Sequence, residues 1–188
     1  MDEIVRQAMA RWPNVPNCYG WLALDRRGQW RMRNEYAQQH GLSGDPIRHE
    51  ALVGFIERNY TRDEAGAWFF QNGPQRVFVS LAYTPWIVRL HEGRLATTSG
   101  RAFQPEACFA DEHGNVLLAG AVDGIDGTQA ALLHDHDLDA FTGMSTWHGE
   151  ACGTVLGVFH TGARDLGIEP IAEAEVPARF GFVRMPAA

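Results

Sequence analysis

The stretch from Trp68 to Leu90 constrains the fold of this chain more than any other part of the sequence. Two apolar, aromatic-rich runs flank residues 72–75, Asn-Gly-Pro-Gln, which are suited to a tight turn. After this turn, apolar residues alternate along residues 76–81, and a further apolar run begins at Trp86. The pattern predicts a three-stranded antiparallel meander on which the rest of the first half packs.

The composition is that of a folded protein outside the membrane. The 188 residues are 45% hydrophobic and include six Trp and ten Phe, which excludes a disordered chain. A chain of this length forms one domain or two small lobes and can bury a core without disulfides. No apolar run approaches the roughly 20 residues that span a bilayer. The N-terminus begins acidic and lacks the features of a signal peptide, so we expect a cytoplasmic protein.

Charge is distributed unevenly along the chain. The formal net charge is −7, but residues 1–104 carry +3 and residues 105–188 carry −10. Because an acidic half repels phosphate backbones, we expect no nucleic-acid partner. The sign changes close to residues 99–101, Ser-Gly-Arg, which are typical of a linker. We therefore predict two lobes, residues 1–98 and residues 99–188.

Local patterns predict an α+β fold that is rich in antiparallel sheet. In the first lobe, a hairpin passes through the turn at residues 25–28, and one main helix covers Arg48–Tyr60 with apolar residues at helical spacing. In the second lobe, short apolar runs separated by Gly and Pro predict a smaller, acidic, β-rich unit. Asp137 is suited to cap a brief helix that runs through Phe141.

Several turn and core segments match a known arrangement of strand, D-x-x-G-x-W turn, strand, P-I, helix and hairpin. The segments are Gly20–Asp25, Gly28–Trp30, Asp45–Ile47, Leu52–Phe55, Trp68-Phe69 and Pro85–Ile87. In these segments the chain resembles bacterial proteins of the domain-of-unknown-function family DUF1285 over about residues 18–95. The resemblance implies an α/β roll-like first lobe and a β-rich, roll-like second lobe. It implies no activity and no catalytic residue.

The run His134-Asp135-His136-Asp137 is the sharpest cluster of metal-ligating residue types. In an extended segment His134 and His136 share a face, and imidazole and carboxylate groups suit zinc, manganese or iron. We name His134, His136 and Asp137 as candidate ligands, and a divalent metal here is the one cofactor that the sequence suggests. The candidates for a further ligand are His148, Glu150 and His160. The alternative is a solvated loop in which Asp137 caps the helix.

Other chemical signatures are weak or absent. The patterns H-E-x-x-H, G-x-S-x-G, Walker A and G-x-G-x-x-G do not occur. The H-x-E at residues 148–150 lacks the downstream P-C-x-x-C of zinc deaminases. Cys18, Cys108 and Cys152 form no C-x-x-C pair and are odd in number, so we expect reduced, buried thiols. A nucleophilic pair between Cys108 or Cys152 and a distant His stays open, because such pairs meet only in space.

Large aromatic side chains offer a candidate contact surface. Trp21, Trp30, Tyr83 and Trp86 lie on strands or at turns, where exposed aromatics mark ligand or partner surfaces. The alternative is that they belong to the core.

Because catalytic motifs are absent, we expect a non-enzymatic binding or regulatory module that recognises a small molecule or a protein in a cleft between the lobes. The alternative function is a metal-dependent enzyme that uses His134 and His136. A third expectation is a homo-oligomer in which exposed strand edges pair.

Overall fold

The computed structural model describes residues 1–148 and 155–188, and these form a mixed α+β, strand-rich fold, as the sequence predicts. The helices are α1 (Glu3–Arg11), α2 (Glu35–Gln39), α3 (Glu50–Arg58), α4 (Leu138–Gly143) and α5 (Val176–Phe180). The strands are β1 (Cys18–Leu24), β2 (Trp30–Met32), β3 (Asp45–Pro46), β4 (Tyr60–Arg62), β5 (Trp68–Asn72), β6 (Gln75–Leu81), β7 (Trp86–His91), β8 (Arg94–Thr97), β9 (Ala102–Ala110), β10 (Val116–Val122), β11 (Thr128–Leu133), β12 (Ser145–Trp147), β13 (Gly157–His160) and β14 (Asp165–Pro170).

The chain forms two compact units. The first comprises Met1–Asp25, Gln29–Tyr83 and Gly181–Ala188, and the second comprises Arg26–Gly28 and Thr84–Phe180. From the sequence, the two lobes were expected to meet at residue 98. In the structure, β7 and β8 pair with strands of the second unit.

The first unit is built on a six-stranded sheet with the order β3-β2-β1-β6-β5-β4. β1 runs parallel to β6, while β5 and β6 form the hairpin that the Asn-Gly-Pro-Gln sequence predicts. Val79 of β6 and Trp68 of β5 are almost fully buried, which places the core of this unit on its central strands.

The β1–β2 turn follows the predicted geometry. Gly28 has a φ of 77°, a conformation that favours glycine. The Asp25 carboxylate closes the turn because its Oδ1 accepts the Gln29 backbone N–H at 2.9 Å. The predicted helix in this unit is also present as α3, where the His49 side chain caps the first turn by accepting the Leu52 N–H.

The predicted three-stranded meander is wrong in its third strand. One edge of β6 pairs with β5 and the other pairs with β1, so neither edge is free to pair with β7. β7 instead pairs with β8 and, in parallel, with β11. Thr84 stabilises the pairing of β7 with β11, because its hydroxyl donates to the Trp86 carbonyl at 2.7 Å and accepts the Leu132 N–H at 3.0 Å.

The second unit contains a closed ring of five strands. β7, β8, β9, β10 and β11 pair in the order β10-β11-β7-β8-β9, and the β9–β10 pairing closes the ring. The far end of β9 pairs with β14, which extends the sheet through β13 to β12. Gly120 sits at a register shift where a side chain would collide with the Gln104 backbone, so the bulge requires glycine.

A 3-10 turn at Asp135–Asp137 leads from β11 into α4. The turn is anchored to the ring because the His134 N–H donates to the Val88 carbonyl at 2.9 Å. Within the described part of the chain, no helix is long and apolar enough to cross a membrane.

Candidate functional site

Three of the four candidate aromatic contact residues belong to the core. Tyr83 is 1% exposed, Trp30 4% and Trp86 5%, whereas Trp21 is 40% exposed. Trp30 packs edge-on against Tyr60, with ring centroids 5.1 Å apart. The expected aromatic surface is therefore corrected to Trp21 alone, because a buried ring cannot meet a partner.

The His134–His136 segment brings three potential ligands together. One ligand atom from each of His134, Asp135 and His136 lies within 4.8 Å of the others. The His134 side chain is buried, while Asp135 and His136 are exposed. His134 Nδ1 lies 2.9 Å from Asp135 Oδ1 and also accepts the His136 backbone N–H at 3.2 Å. The two histidines predicted as ligands are thus adjacent in space.

Two arginines set the electrostatics of this cluster. Arg27 donates to Asp135 Oδ2 from Nη2 at 2.6 Å and from Nε at 3.0 Å, and this pairing lowers the pKa of the Asp135 carboxyl. Burial, followed by the charge of Arg89, lowers the pKa of His134. His134 is therefore held in its neutral form, which is the form that ligates metals.

Asp137 is not available as a ligand, which corrects that part of the predicted set. Its Oδ2 accepts from Arg89 Nε at 2.6 Å and from the Leu90 N–H at 2.9 Å, and its Oδ1 accepts from Arg89 Nη2 at 3.0 Å. The Arg89 hydrogen bond lowers the pKa of the Asp137 carboxyl. Asp137 stands at the N-cap position of α4 but makes no side-chain cap bond, so its carboxylate fastens β7 to this turn.

The further ligands proposed from the sequence do not join the three-residue cluster among residues 1–148 and 155–188. His160 uses both ring nitrogens elsewhere, with Nδ1 2.8 Å from Asp165 Oδ1 and Nε2 3.0 Å from Thr146 Oγ1. His148 is exposed. Glu150 lies outside the described residues.

Both described cysteines are free thiols, and the expectation that they are buried is confirmed for Cys108 but not for Cys18, which is half-buried. Cys108 is fully buried in β9, and burial raises the pKa of its thiol to about 12. Burial also raises the pKa of Cys18. Since the thiolate is the nucleophile, a Cys108–His pair is disfavoured. Cys152 lies outside the described residues.

The sequence did not reveal a cleft of about 650 Å³ in the second unit. It opens between the β7–β8 turn, the beginning of β9 and the β13–β14 turn. Residues that matter to its chemistry are Arg94, Leu95, Phe103, Gln104, Thr161 and Arg164. The sequence signal for this cleft is that Arg94 and Arg164 each follow a glycine-containing turn. Only the fold brings the two arginines to the same cleft.

The two arginines of the cleft are not neutralised. The guanidinium groups of Arg94 and Arg164 are exposed and form no ion pair within residues 1–148 and 155–188. Leu95 and Phe103 also line the cleft, are buried, and occupy paired positions of β8 and β9. The cleft therefore combines a rigid apolar wall with two cationic groups.

Two other cavities are less suited to a ligand. One of about 190 Å³ in the first unit is below the roughly 300–1,000 Å³ of small-molecule sites. Another, of about 600 Å³ in the second unit, is lined by Asp111, Glu112 and Glu175. Asp111 Oδ1 already accepts the His113 and Asn115 backbone N–H groups, so its carboxylate is part of a turn.

The fold and these sites define a two-unit α+β protein whose candidate sites lie in the second unit. The chain belongs to the family DUF2944, described as "Protein of unknown function (DUF2946)", whose model matches residues 1–187. Membership of a family of unknown function is thus established, and the resemblance to DUF1285 remains a prediction. No curated protein and no solved structure matches the chain significantly.

Proposed function

We propose that this protein is a non-enzymatic binding module, and that its ligand is a small molecule with an anionic group next to an apolar part. The observation that carries the proposal is the cleft of about 650 Å³ whose lining includes the exposed residues Arg94 and Arg164. This volume lies within the range of small-molecule sites, roughly 300–1,000 Å³.

The lining determines the ligand class. A guanidinium group matches the geometry of a carboxylate or phosphate and binds it through two parallel hydrogen bonds. Leu95 and Phe103 offer apolar contact to the remainder of the ligand. Because both wall residues belong to paired strands of the closed ring, the cleft is preformed and little ordering opposes binding.

The acidic residues 105–188 oppose an anionic ligand, although Asp165, which directly follows Arg164, is paired with His160 at 2.8 Å. At physiological ionic strength, exposed charges are screened beyond about 8 Å. A ligand within hydrogen-bond distance of Arg94 and Arg164 interacts with these groups much more strongly than with distant carboxylates. The two arginines therefore make the cleft favour an anionic ligand.

A thermal-shift screen with amphiphilic carboxylates and phosphates tests the proposal. A ligand at 100 times its Kd stabilises the native state by about 2.7 kcal/mol, which is readily measured. Replacing Arg94 and Arg164 together by Gln is expected to abolish the shift. Arg62→Gln, at an exposed arginine of the first unit, is the matched control. A shift that survives the double substitution would contradict the proposal.

The alternative, a metal-dependent enzyme at His134 and His136, has weaker support. Neither histidine lines any of the three cavities described above. A catalytic metal keeps an open position that faces substrate, so this placement favours metal binding over catalysis.

The expected homo-oligomer remains a prediction. The outer strands of the two sheets, β3, β4 and β12, are two or three residues long, and short edge strands resist pairing with other chains. The shortness of these edge strands favours a monomer. Light scattering coupled to size-exclusion chromatography would measure the mass, which is 20.9 kDa for a monomer.

A further inference from the structure

We infer that His134, Asp135 and His136 form a binding site for a divalent transition-metal ion in the second unit. The inference does not rest on the ligand cleft, because none of these residues lines it. Imidazole nitrogen and carboxylate oxygen together suit ions such as Zn²⁺, Co²⁺ or Mn²⁺.

The backbone places the three donors before any metal arrives. The His134 N–H is held by the Val88 carbonyl, which fixes the segment to the closed ring. The 3-10 turn at Asp135–Asp137 then brings the two imidazole rings to a centroid separation of 4.8 Å. The ordering cost of binding therefore falls mainly on the exposed His136 side chain.

His134 and Asp135 hold a nitrogen and an oxygen donor atom next to each other. Asp135 Oδ1 lies 2.9 Å from His134 Nδ1, and the His136 backbone nitrogen lies 3.2 Å from the same ring nitrogen. In the tautomer that carries its proton on Nδ1, the neutral His134 ring donates to the Asp135 carboxylate. A divalent cation can replace this proton between Nδ1 and Oδ1, and the ring of His136 then supplies the third donor atom.

The distances suit coordination. With metal–ligand bonds of about 2.1 Å at right angles, adjacent donor atoms lie about 3.0 Å apart, and opposite ones lie about 4.2 Å apart. The observed 2.9 Å matches the adjacent separation, and the 4.8 Å limit of the cluster needs only a small rotation of the exposed His136 ring. Three protein ligands leave the remaining positions to water.

The surrounding charges support the geometry at some cost in affinity. Arg27 occupies Asp135 Oδ2 and orients the carboxylate so that Oδ1 faces His134. A group that fixes a ligand in this way tightens metal binding. Arg89 brings a second positive charge, which the Asp137 carboxylate neutralises through two hydrogen bonds.

Titration of tag-free, chelator-treated protein tests the site. Co²⁺ binding by histidine is followed by visible absorption, and Zn²⁺ binding by calorimetry. We expect saturable 1:1 binding, weakened at least about tenfold in His136→Ala and in Asp135→Asn. Both positions are exposed, so both variants are expected to fold.

His91→Ala is the matched control, because His91 is an exposed histidine of the same unit outside the cluster. Its affinity should equal that of the wild type. The inference is overturned if neither metal binds saturably. It is equally overturned if the variant His136→Ala/Asp135→Asn binds as tightly as the wild type.

Discussion

The pairing of Asp137 with Arg89 should contribute measurably to stability. The Asp137 side chain is 9% exposed and accepts three hydrogen bonds, two from Arg89 and one from the Leu90 N–H. Asp137→Asn preserves the shape but removes the charge and leaves a single carbonyl acceptor. The variant therefore weakens the fastening of β7 to the turn before α4.

The expected magnitude follows from the type of bond lost. A hydrogen bond to a charged group contributes about 1.5–3 kcal/mol. Arg89 is half-exposed at 48%, so water screens part of the ion pair and the lower end of the range applies. We expect a loss of about 1.5–2 kcal/mol, which lowers the melting temperature by roughly 3–8 °C in a chain of this size.

Thermal melting followed by circular dichroism measures the effect, with the exposed neighbour Asp139→Asn as control. Because Arg89 lowers the pKa of Asp137 in the folded state, this stabilisation is present above the ordinary carboxyl pKa of about 3.9. It is lost as the pH falls through the folded pKa. Equal melting temperatures for wild type and Asp137→Asn at neutral pH would refute the reasoning.

Two further predictions concern the second unit. Glu92 in the β7–β8 turn has a φ of 49°, a conformation that costs a non-glycine residue about 1 kcal/mol. Because Asn adopts this conformation more readily, Glu92→Asn should raise the free energy of unfolding in urea by about 0.5–1 kcal/mol. An unchanged free energy of unfolding would show that the turn is unstrained. The Cys108 thiol has a pKa of about 12 and is not exposed, so it should resist a disulfide reagent at pH 8 until urea unfolds the chain. Peptide mass spectrometry measures this labelling. A labelling rate in native buffer equal to that of the unfolded chain would contradict the burial of Cys108.

Features fixed by neighbouring residues could be predicted from the sequence. The turn at residues 25–28, the helix α3 and the Asn-Gly-Pro-Gln hairpin all appear in the structure. In each case, the residues that determine the geometry lie within one turn or one helix. The mixed α+β class follows from these local patterns.

Features fixed by distant partners could not be predicted. The alternation in β7 is equally compatible with pairing to β6 and with pairing to β11. The parallel pairing of β1 with β6 occupies the edge of β6 that β7 would need, and it joins residues far apart in sequence. The burial of Tyr83 and Trp86 is likewise a property of the assembled units.

The candidate site was predicted in part. The two histidines could be identified because they are neighbours in sequence. The choice between Asp135 and Asp137 could not be made, since it depends on Arg89, which lies 48 residues before Asp137. The cleft escaped prediction because Arg94 and Arg164 lie on separate hairpins.

The proposed function requires that the second unit bind an anionic small molecule in the cleft at Arg94 and Arg164. The most direct measurement is amide chemical-shift mapping by two-dimensional NMR during titration with a ligand found in the thermal-shift screen. We expect saturable shifts at Gly93–Ala96, Phe103 and Thr161–Arg164, and none in the β5–β6 hairpin of the first unit. Saturable shifts that leave the residues of this cleft unmoved would contradict it.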